Sequence, residues 1–143
     1  MNLNKEEIKE VVKYRMEKAN STFAEIPVLV DNEFYRTAAN RLYYACFYAA
    51  SALLINDGYE THAHNGVIRL LGLHYIKGNR IDKAFGKMYK RLFDLRQTGD
   101  YEDYIDIDKD DIIPLIEPSE KFIAEIGNLI NKKIILKQYE TIF

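Results

Sequence analysis

Residues 41–55 read RLYYACFYAASALLI, and this stretch decides the fold. After Arg41 it holds no charged residue, glycine or proline, and its Ala, Leu, Tyr and Phe residues cover every side of a helix. A helix that is apolar on all sides is expected to be buried on all sides. The stretch is too short to cross a bilayer, which needs about 20 apolar residues. It therefore predicts the central helix of a helical bundle in water.

Length and charge bound what the rest of the chain can be. The 143 residues fit one domain with a substantial core, so we predict a single domain over residues 1–143, with residues 132–143 as a C-terminal tail. The net charge is -2, from 20 basic and 22 acidic residues, which gives no general attraction to nucleic acid or to a membrane. The polar start MNLNKEEIKE lacks the apolar core of a signal peptide, and we expect a cytoplasmic protein.

The chain has one cysteine, Cys46, inside the apolar stretch. One cysteine excludes an intrachain disulfide and a zinc site built from several thiolates. We expect a buried thiol that packs as a small hydrophobic group. Nothing in the sequence predicts a metal or another cofactor.

Outward from the central helix, apolar residues at helical spacing predict further helices. Three long ones are expected at about 4–25, 80–96 and 111–133, and a short one at about 61–75. Short connections favour antiparallel neighbours. The predicted fold class is therefore all-α, an antiparallel up-and-down bundle of four long helices plus one short helix.

Local signals mark the ends of these helices. Asn4 and Glu7 form a capping box at the start of the first helix, and Asp57-Gly58 is a turn after the central one. Pro118 is expected to kink the last helix or to mark its restart. The acidic segment 97–111 is predicted to be a loop, and the tail has strand-like composition.

None of the strongest catalytic motifs is present: the sequence has no P-loop, no glycine-rich dinucleotide turn, no HExxH and no GxSxG. Arg96 and the residues after it, LRQTGDYEDY, are a weaker candidate. An arginine at a helix C-terminus is favoured by the helix dipole without any function. Arg96 is nevertheless close in sequence to Asp100, Tyr101 and Tyr104, and an arginine between a carboxylate and phenols is suited to hold a phosphate or to stack on a base.

His62 and His64, in THAHNG, are a second candidate. Histidines two positions apart on a helix point in different directions, which is unsuited to joint metal binding. Thr61 is a candidate N-cap, so both histidines are expected in the first turn of the short helix. They are either solvated surface residues or part of a phosphate site at that helix N-terminus.

Arg69 and His74 are separated by four residues, the spacing of one class of metal-independent ribonucleases. Their place on a leucine-rich helix is unsuited to a site, and a core or rim position for His74 is the alternative.

A basic side is predicted on the helix at 80–96, formed by Lys83, Lys87, Lys90 and Arg91. Such a side is either a solvated face or, if RNA binds, the track for its backbone.

Residues 41–54, RLYYACFYAASALL, resemble the signature helix R-x-YYA-x-F-x-A-x-x-ALL of a stand-alone prokaryotic branch of the HEPN superfamily, the higher eukaryote and prokaryote nucleotide-binding domains. Residues 64–67 resemble that branch's H-x-G-V, residues 75–78 its V-K-x-G turn, and residues 95–101 its R-x-x-x-D-Y. The motifs keep their order and cover nearly the whole chain.

The resemblance implies a helical bundle that commonly forms a homodimer. It also implies, as in many members, a toxin whose partner is a minimal nucleotidyltransferase. In active members an Arg-x4-6-His motif from both subunits cleaves RNA without a metal. Arg96 stands at the place of the motif's arginine, but Tyr101, not a histidine, follows five positions later. Tyr101 or Tyr104 is then a candidate to accept a nucleotide from the transferase.

Three functions stay open. The favoured one is a catalytically degenerate HEPN domain that binds RNA or a nucleotide, or pairs with a nucleotidyltransferase. Its expected ligand contacts are Arg96, Tyr101, Tyr104, Arg41, His64, Lys87 and Arg91. The alternative is a metal-independent endoribonuclease with Arg96, Asp100 and Tyr101 as catalytic candidates. The third is a helical interaction module without a small-molecule site. No membrane partner is expected.

Arg41 is the one charge at the start of the apolar stretch. A buried arginine needs a carboxylate or phosphate partner. We predict that Arg41 pairs with an acidic residue or faces the Arg96 region. The tyrosines of the stretch are expected to be structural, with hydroxyl groups that reach partners at its rim.

Overall fold

The computed structural model describes residues 3–61, 63–101 and 106–142, with the backbone alone at 99–101, 134, 137–139, 141 and 142. In this part of the chain the fold is an all-α bundle without a β-strand, as predicted. The helices are α1 (Lys5–Phe23), α2 (Ile26–Asp31), α3 (Tyr35–Asn56), α4 (His64–Leu71), α5 (Lys83–Tyr101) and α6 (Lys109–Ile142). A π-helical turn, Gly72–Ile76, continues α4.

Helix α1 begins at the predicted capping box. The Asn4 side-chain oxygen accepts from the Glu7 backbone N–H at 2.9 Å, and the Glu7 carboxylate accepts from the Asn4 backbone N–H at 3.2 Å. The first helix ends at Phe23, and a short helix that the sequence did not predict, α2, follows it. Pro27 lies in the first turn of α2, where the missing N–H of a proline costs little.

Helix α3 contains the apolar stretch and is the centre of the bundle, with α1, α5 and α6 packed against it. Its alanines are fully buried, and their small side chains let the neighbouring helices approach closely. Cys46 is buried among them, and this burial raises the pKa of its thiol to about 12. The thiol therefore packs as a small hydrophobic group, as predicted.

The prediction that the stretch is buried on all sides is wrong on one side. Tyr44, Phe47 and Tyr48 are only partly buried, whereas the leucines and alanines of the stretch are buried. The Lys18 side chain of α1 covers part of this face, with its Nζ 4.7 Å from the centre of the Tyr48 ring. The partly exposed aromatic face of α3 is the first indication of a site.

The second half of the chain departs from the predicted boundaries. Helix α5 continues to Tyr101, so Arg96 lies inside the helix and not at its C-terminus, and residues 97–101 are not a loop. Helix α6 begins at Lys109 and passes through Pro118 without a restart. It runs to Ile142, so the segment predicted as a tail of strand-like composition forms the last turns of this helix.

No helix in the described ranges is both long enough and apolar enough to cross a membrane.

Candidate functional site

Two helices, α4 and α5, meet at the aromatic face of α3. Tyr43, Tyr44 and Phe47 belong to α3, His64 is the first residue of α4, and Arg96 comes from α5. The four rings of this group pack at centroid separations of 4.6–6.0 Å. We call these five residues the Arg96–His64 cluster.

Arg96 lies against the two tyrosines at the base of the cluster. Its guanidinium carbon is 5.2 Å from the centre of the Tyr43 ring and 5.6 Å from that of Tyr44, within the range of a cation–π interaction. Its Nη1 donates to the Tyr44 hydroxyl at 3.3 Å. The side chain is 8% exposed. The aromatic rings and the tyrosine hydroxyl thus hold a positive charge just below the surface.

His64 reaches the same rings from the start of α4. Its Nδ1 lies 2.7 Å from the Tyr43 hydroxyl, and its ring packs on Phe47 at a centroid distance of 4.6 Å. The segment before α4 folds back closely, since a Cβ at Gly66 would overlap Thr61 Oγ1. Glycine at position 66 therefore lets Thr61 approach α4 within two residues of His64.

The electrostatics of the cluster keep the imidazole neutral. Partial burial lowers the pKa of His64, and the positive charge of Arg96 lowers it further. Burial also raises the pKa of Tyr43 to about 12, so its phenol stays protonated at neutral pH. When Nδ1–H donates to the Tyr43 oxygen, Nε2 keeps a lone pair that can accept a proton.

Among the side chains that the structure describes, the cluster unites two of the residues that the sequence analysis nominated as ligand contacts, Arg96 and His64. Arg41 pairs with Glu25, with Nη2 and Oε2 3.0 Å apart, which confirms the predicted acidic partner. Arg91 pairs with Asp111 at 3.5 Å. Lys87 precedes Arg96 by nine positions, which is about two and a half helical turns. Lys87 therefore lies on the opposite side of α5.

Several candidates lie outside what the structure describes. The side chains of Asp100 and Tyr101 are among these, although their backbone belongs to α5. Tyr104 and His62 fall outside the described residues altogether. No group of three or more His, Cys, Asp or Glu side chains suited to a metal occurs in the described ranges.

Arg69 and His74, the pair with ribonuclease-like spacing, do not form a site together. Arg69 is exposed on α4, and His74 lies in the π-helical turn, stacked on Tyr59 at 4.1 Å. His74 is partly buried and packs on Tyr59, which agrees with the core or rim position given as the alternative.

Tyr43, Tyr44 and Phe47 were missed as site residues, because the sequence analysis assigned them to the core. The H-x-G-V motif at 64–67 could have indicated that these aromatic residues belong to a site. A histidine at a helix start is placed to reach aromatic side chains at one face of a neighbouring helix. The hydroxyls of Tyr43 and Tyr44 do reach partners at the rim, as predicted, and those partners are His64 and Arg96.

A family model for the HEPN domain matches residues 12–129, which include every residue of the cluster. The chain belongs to the HEPN domain family. This confirms the resemblance to the HEPN superfamily.

Relatives of this HEPN protein agree with the assignment. A "UPF0332 protein" of Thermotoga maritima is 32% identical over 87% of this chain and 94% of the relative. Two proteins of Methanocaldococcus jannaschii carry toxin names. "Putative toxin MJ0142" is 30% identical over 85% of this chain and 83% of its own length, and "Putative toxin MJ0605" is 33% identical over 69% and 73%.

Proposed function

We propose that this HEPN protein is a toxin-type protein that binds RNA or a nucleotide through the Arg96–His64 cluster. One observation carries the proposal: α4 and α5 bring a histidine and an arginine onto the same two tyrosines of α3. The names of the two Methanocaldococcus relatives support the toxin class.

The chemistry of the cluster suits a nucleotide. Arg96 provides a charge that attracts a phosphate and is worth more in a partly desolvated site than in water. Tyr44, Phe47 and His64 are the partly exposed rings around it, and bases stack on such rings at about 1–3 kcal/mol each. A bound nucleotide therefore places its phosphate toward Arg96 and its base against the aromatic face.

Binding is tested with fluorescently labelled single-stranded RNA and labelled AMP. Arg96→Gln removes the charge and is expected to weaken binding at least about tenfold, the effect of losing one charge-assisted contact. Arg69→Gln is the matched control, because Arg69 is an exposed arginine outside the cluster. Equal affinities for the wild type and Arg96→Gln, with both proteins folded by circular dichroism, would refute the site.

The expected partner is a minimal nucleotidyltransferase that neutralises the toxin. We propose this from the family resemblance, and the test is genetic. Expression of the chain alone should slow bacterial growth, and coexpression of a nucleotidyltransferase from a neighbouring gene should restore it. A chain that is harmless when well expressed, or a genome without such a neighbour, would contradict the paired system.

A second function, metal-independent RNA cleavage, is favoured by the position of His64. Tyr101 stands where the family motif has histidine, but the cluster supplies an imidazole from α4. In such a reaction Nε2 takes the proton of a ribose 2′-hydroxyl and a bond forms between that oxygen and phosphorus. The bond from phosphorus to the 5′-oxygen then breaks, and this oxygen takes a proton from water.

Cleavage is tested with RNA in the presence of EDTA. His64→Gln should abolish cleavage and weaken RNA binding only by the stacking of one ring, about 1–3 kcal/mol, a contribution that a His64→Phe variant should largely keep while cleavage stays absent. Arg96→Gln should weaken both binding and cleavage. If wild-type protein binds RNA and leaves it intact, the domain is a binding module. Cleavage that persists in both variants would exclude the cluster as its site.

A further inference from the structure

A second surface lies apart from the Arg96–His64 cluster, in a groove of about 620 Å³ between α4 and α5. Ile68 and Leu71 of α4 and Ile76 of the π-helical turn form its apolar floor. The wall on α5 runs from residue 83 to residue 94. At 1.5 Å per residue this wall is about 17 Å long, the length of three turns of a helix.

Two glycines shape the groove. A Cβ at Gly86 would overlap the end of the Ile76 side chain, so glycine lets Ile76 lie against the backbone of α5. A Cβ at Gly72 would meet no atom within 4 Å, although Gly72 has ordinary helical dihedral angles. Glycine there costs about 1 kcal/mol of helix stability relative to alanine, and no neighbour within the fold requires it. Its effect is to keep the groove open.

The rim of the groove is basic in a chain whose net charge is -2. Lys83, Lys87, Lys90 and Arg91 line it and are all exposed. Lys90 pairs with Asp94, and Arg91 with Asp111. Within the described part of the chain, no ion pair involves Lys83 or Lys87. Among the described side chains, these two positive charges beside an apolar floor thus have no acidic partner.

We propose that this groove binds an amphipathic helix of a partner protein, with an apolar face against Ile68, Leu71 and Ile76 and acidic residues facing Lys83 and Lys87. The length of the wall fits a helix of about three turns, and the opposite charges fix its orientation. This inference concerns a surface separate from the proposed nucleotide site and does not depend on it.

The apolar floor favours a helix over RNA as the occupant. Phosphates and ribose gain from the lysines but gain nothing from three aliphatic side chains. A second copy of this chain is disfavoured as the occupant through the exposed residues Ile135 and Leu136 of α6, because Lys132 and Lys133 beside them would face the basic rim.

The test uses the full chain and a labelled synthetic peptide of about 18 residues, long enough to form a helix in solution. The peptide carries leucine at every third or fourth position and glutamate on its other face. We expect it to bind wild-type protein, and we expect a peptide with lysine in place of glutamate not to bind. The Gly72→Leu variant fills the groove and should weaken binding at least about tenfold. The double variant K83E/K87E should do the same by charge reversal.

Matched controls separate the groove from general effects. Gly78→Leu also places a side chain in open space, but outside the groove, and Lys13→Glu changes an exposed charge on α1. Neither should alter peptide affinity. The melting temperature of Gly72→Leu should not fall below that of wild type, because leucine is the better helix former.

The proposal is overturned if the acidic peptide does not bind, or if Gly72→Leu binds it as wild type does. It is also overturned if a labelled single-stranded RNA, rather than the peptide, loses affinity in Gly72→Leu, since the groove would then belong to nucleic acid. A change in sedimentation of the unliganded Gly72→Leu protein would assign the groove to a second copy of the chain instead.

Discussion

At the scale of single residues, the Arg96–His64 cluster forms because α3 presents aromatic rings where a surface helix would present polar groups. Arg96 makes cation–π contacts with the rings and donates to the Tyr44 hydroxyl, and its burial leaves its charge partly desolvated. Partial burial and, after it, that charge lower the pKa of His64, so the imidazole stays a neutral base next to a cation. A neutral base and a cation on one surface are the pair that phosphodiester chemistry uses.

The stability of the protein should therefore depend on pH through His64. The pKa of His64 is lower in the folded chain than the usual value of 6.5, so below about pH 6.5 the unfolded chain binds more protons than the folded one. Stability then falls as the pH decreases through this window. We expect the melting temperature of wild type minus that of His64→Gln to be smaller at pH 5.5 than at pH 7.5. A difference that is constant or grows toward acid would contradict the lowered pKa of His64.

Sequence reasoning identified Arg96 and His64 separately but did not bring them together. The search for a histidine followed the spacing of the family motif along α5, where Tyr101 stands. The approach of His64 and Arg96 to the same tyrosines depends on how α4 and α5 pack against α3, and the segment before α4 is folded back so that Thr61 lies against Gly66. That is a tertiary property, and no local spacing rule contains it.

At the scale of helices, Asp57 fixes the C-terminal end of α3 to two other parts of the chain. Lys133 of α6 donates to Asp57 Oδ1 at 2.9 Å and to the Asn56 carbonyl at 3.1 Å. Arg80 Nη2 lies 3.6 Å from Asp57 Oδ2, and the Tyr75 hydroxyl donates to the same carboxylate. Burial alone would raise the pKa of Asp57, but these hydrogen bonds and positive charges outweigh it and lower the pKa.

Asp57→Asn should lower the free energy of unfolding by about 2 kcal/mol at pH 7, since the Asp57 side chain is only 10% exposed and its cations lose their partner. The loss should shrink below about pH 3.8, because wild type itself loses this stabilisation as the carboxylate is protonated. Urea unfolding at pH 7 and pH 3 measures both effects. Asp94→Asn, which breaks the exposed pair with Lys90, should cost less than about 1 kcal/mol. Equal losses in the two variants would refute the special role of Asp57.

The number and type of the long helices followed from apolar periodicity, but their ends did not. Residues 97–101 are polar and contain Gly99, so the pattern predicts a loop, yet α5 continues through them. Pro118 is a helix breaker by local rules, yet α6 continues through it with Phe122, Ile123 and Ile126 buried just beyond. Burial of those side chains against the core outweighs the lost backbone hydrogen bond.

At the scale of the whole molecule, the last helix, α6, is longer than the central helix α3 against which it packs. Helix α6 has 34 residues and α3 has 22, about 51 Å and 33 Å at 1.5 Å per residue. Lys133 already reaches the last residues of α3, so the turns of α6 after it extend beyond that end. Ile135 and Leu136, on this extension, are 51% and 53% exposed.

Exposed adjacent aliphatic residues at a helix end are typical of a surface that another molecule covers. We therefore predict that the protein is a homodimer in which this end of α6 contacts the partner copy. Leu136→Asp should shift the sedimentation coefficient from that of a dimer to that of a monomer, because burying the new carboxylate in an apolar contact is unfavourable. Val28→Asp is the control, since Val28 is 64% exposed on α2, away from this helix end, and it should leave the assembly unchanged. A wild-type monomer at micromolar concentration, or a Leu136→Asp protein that is still dimeric, would show that this end of α6 does not hold two copies together.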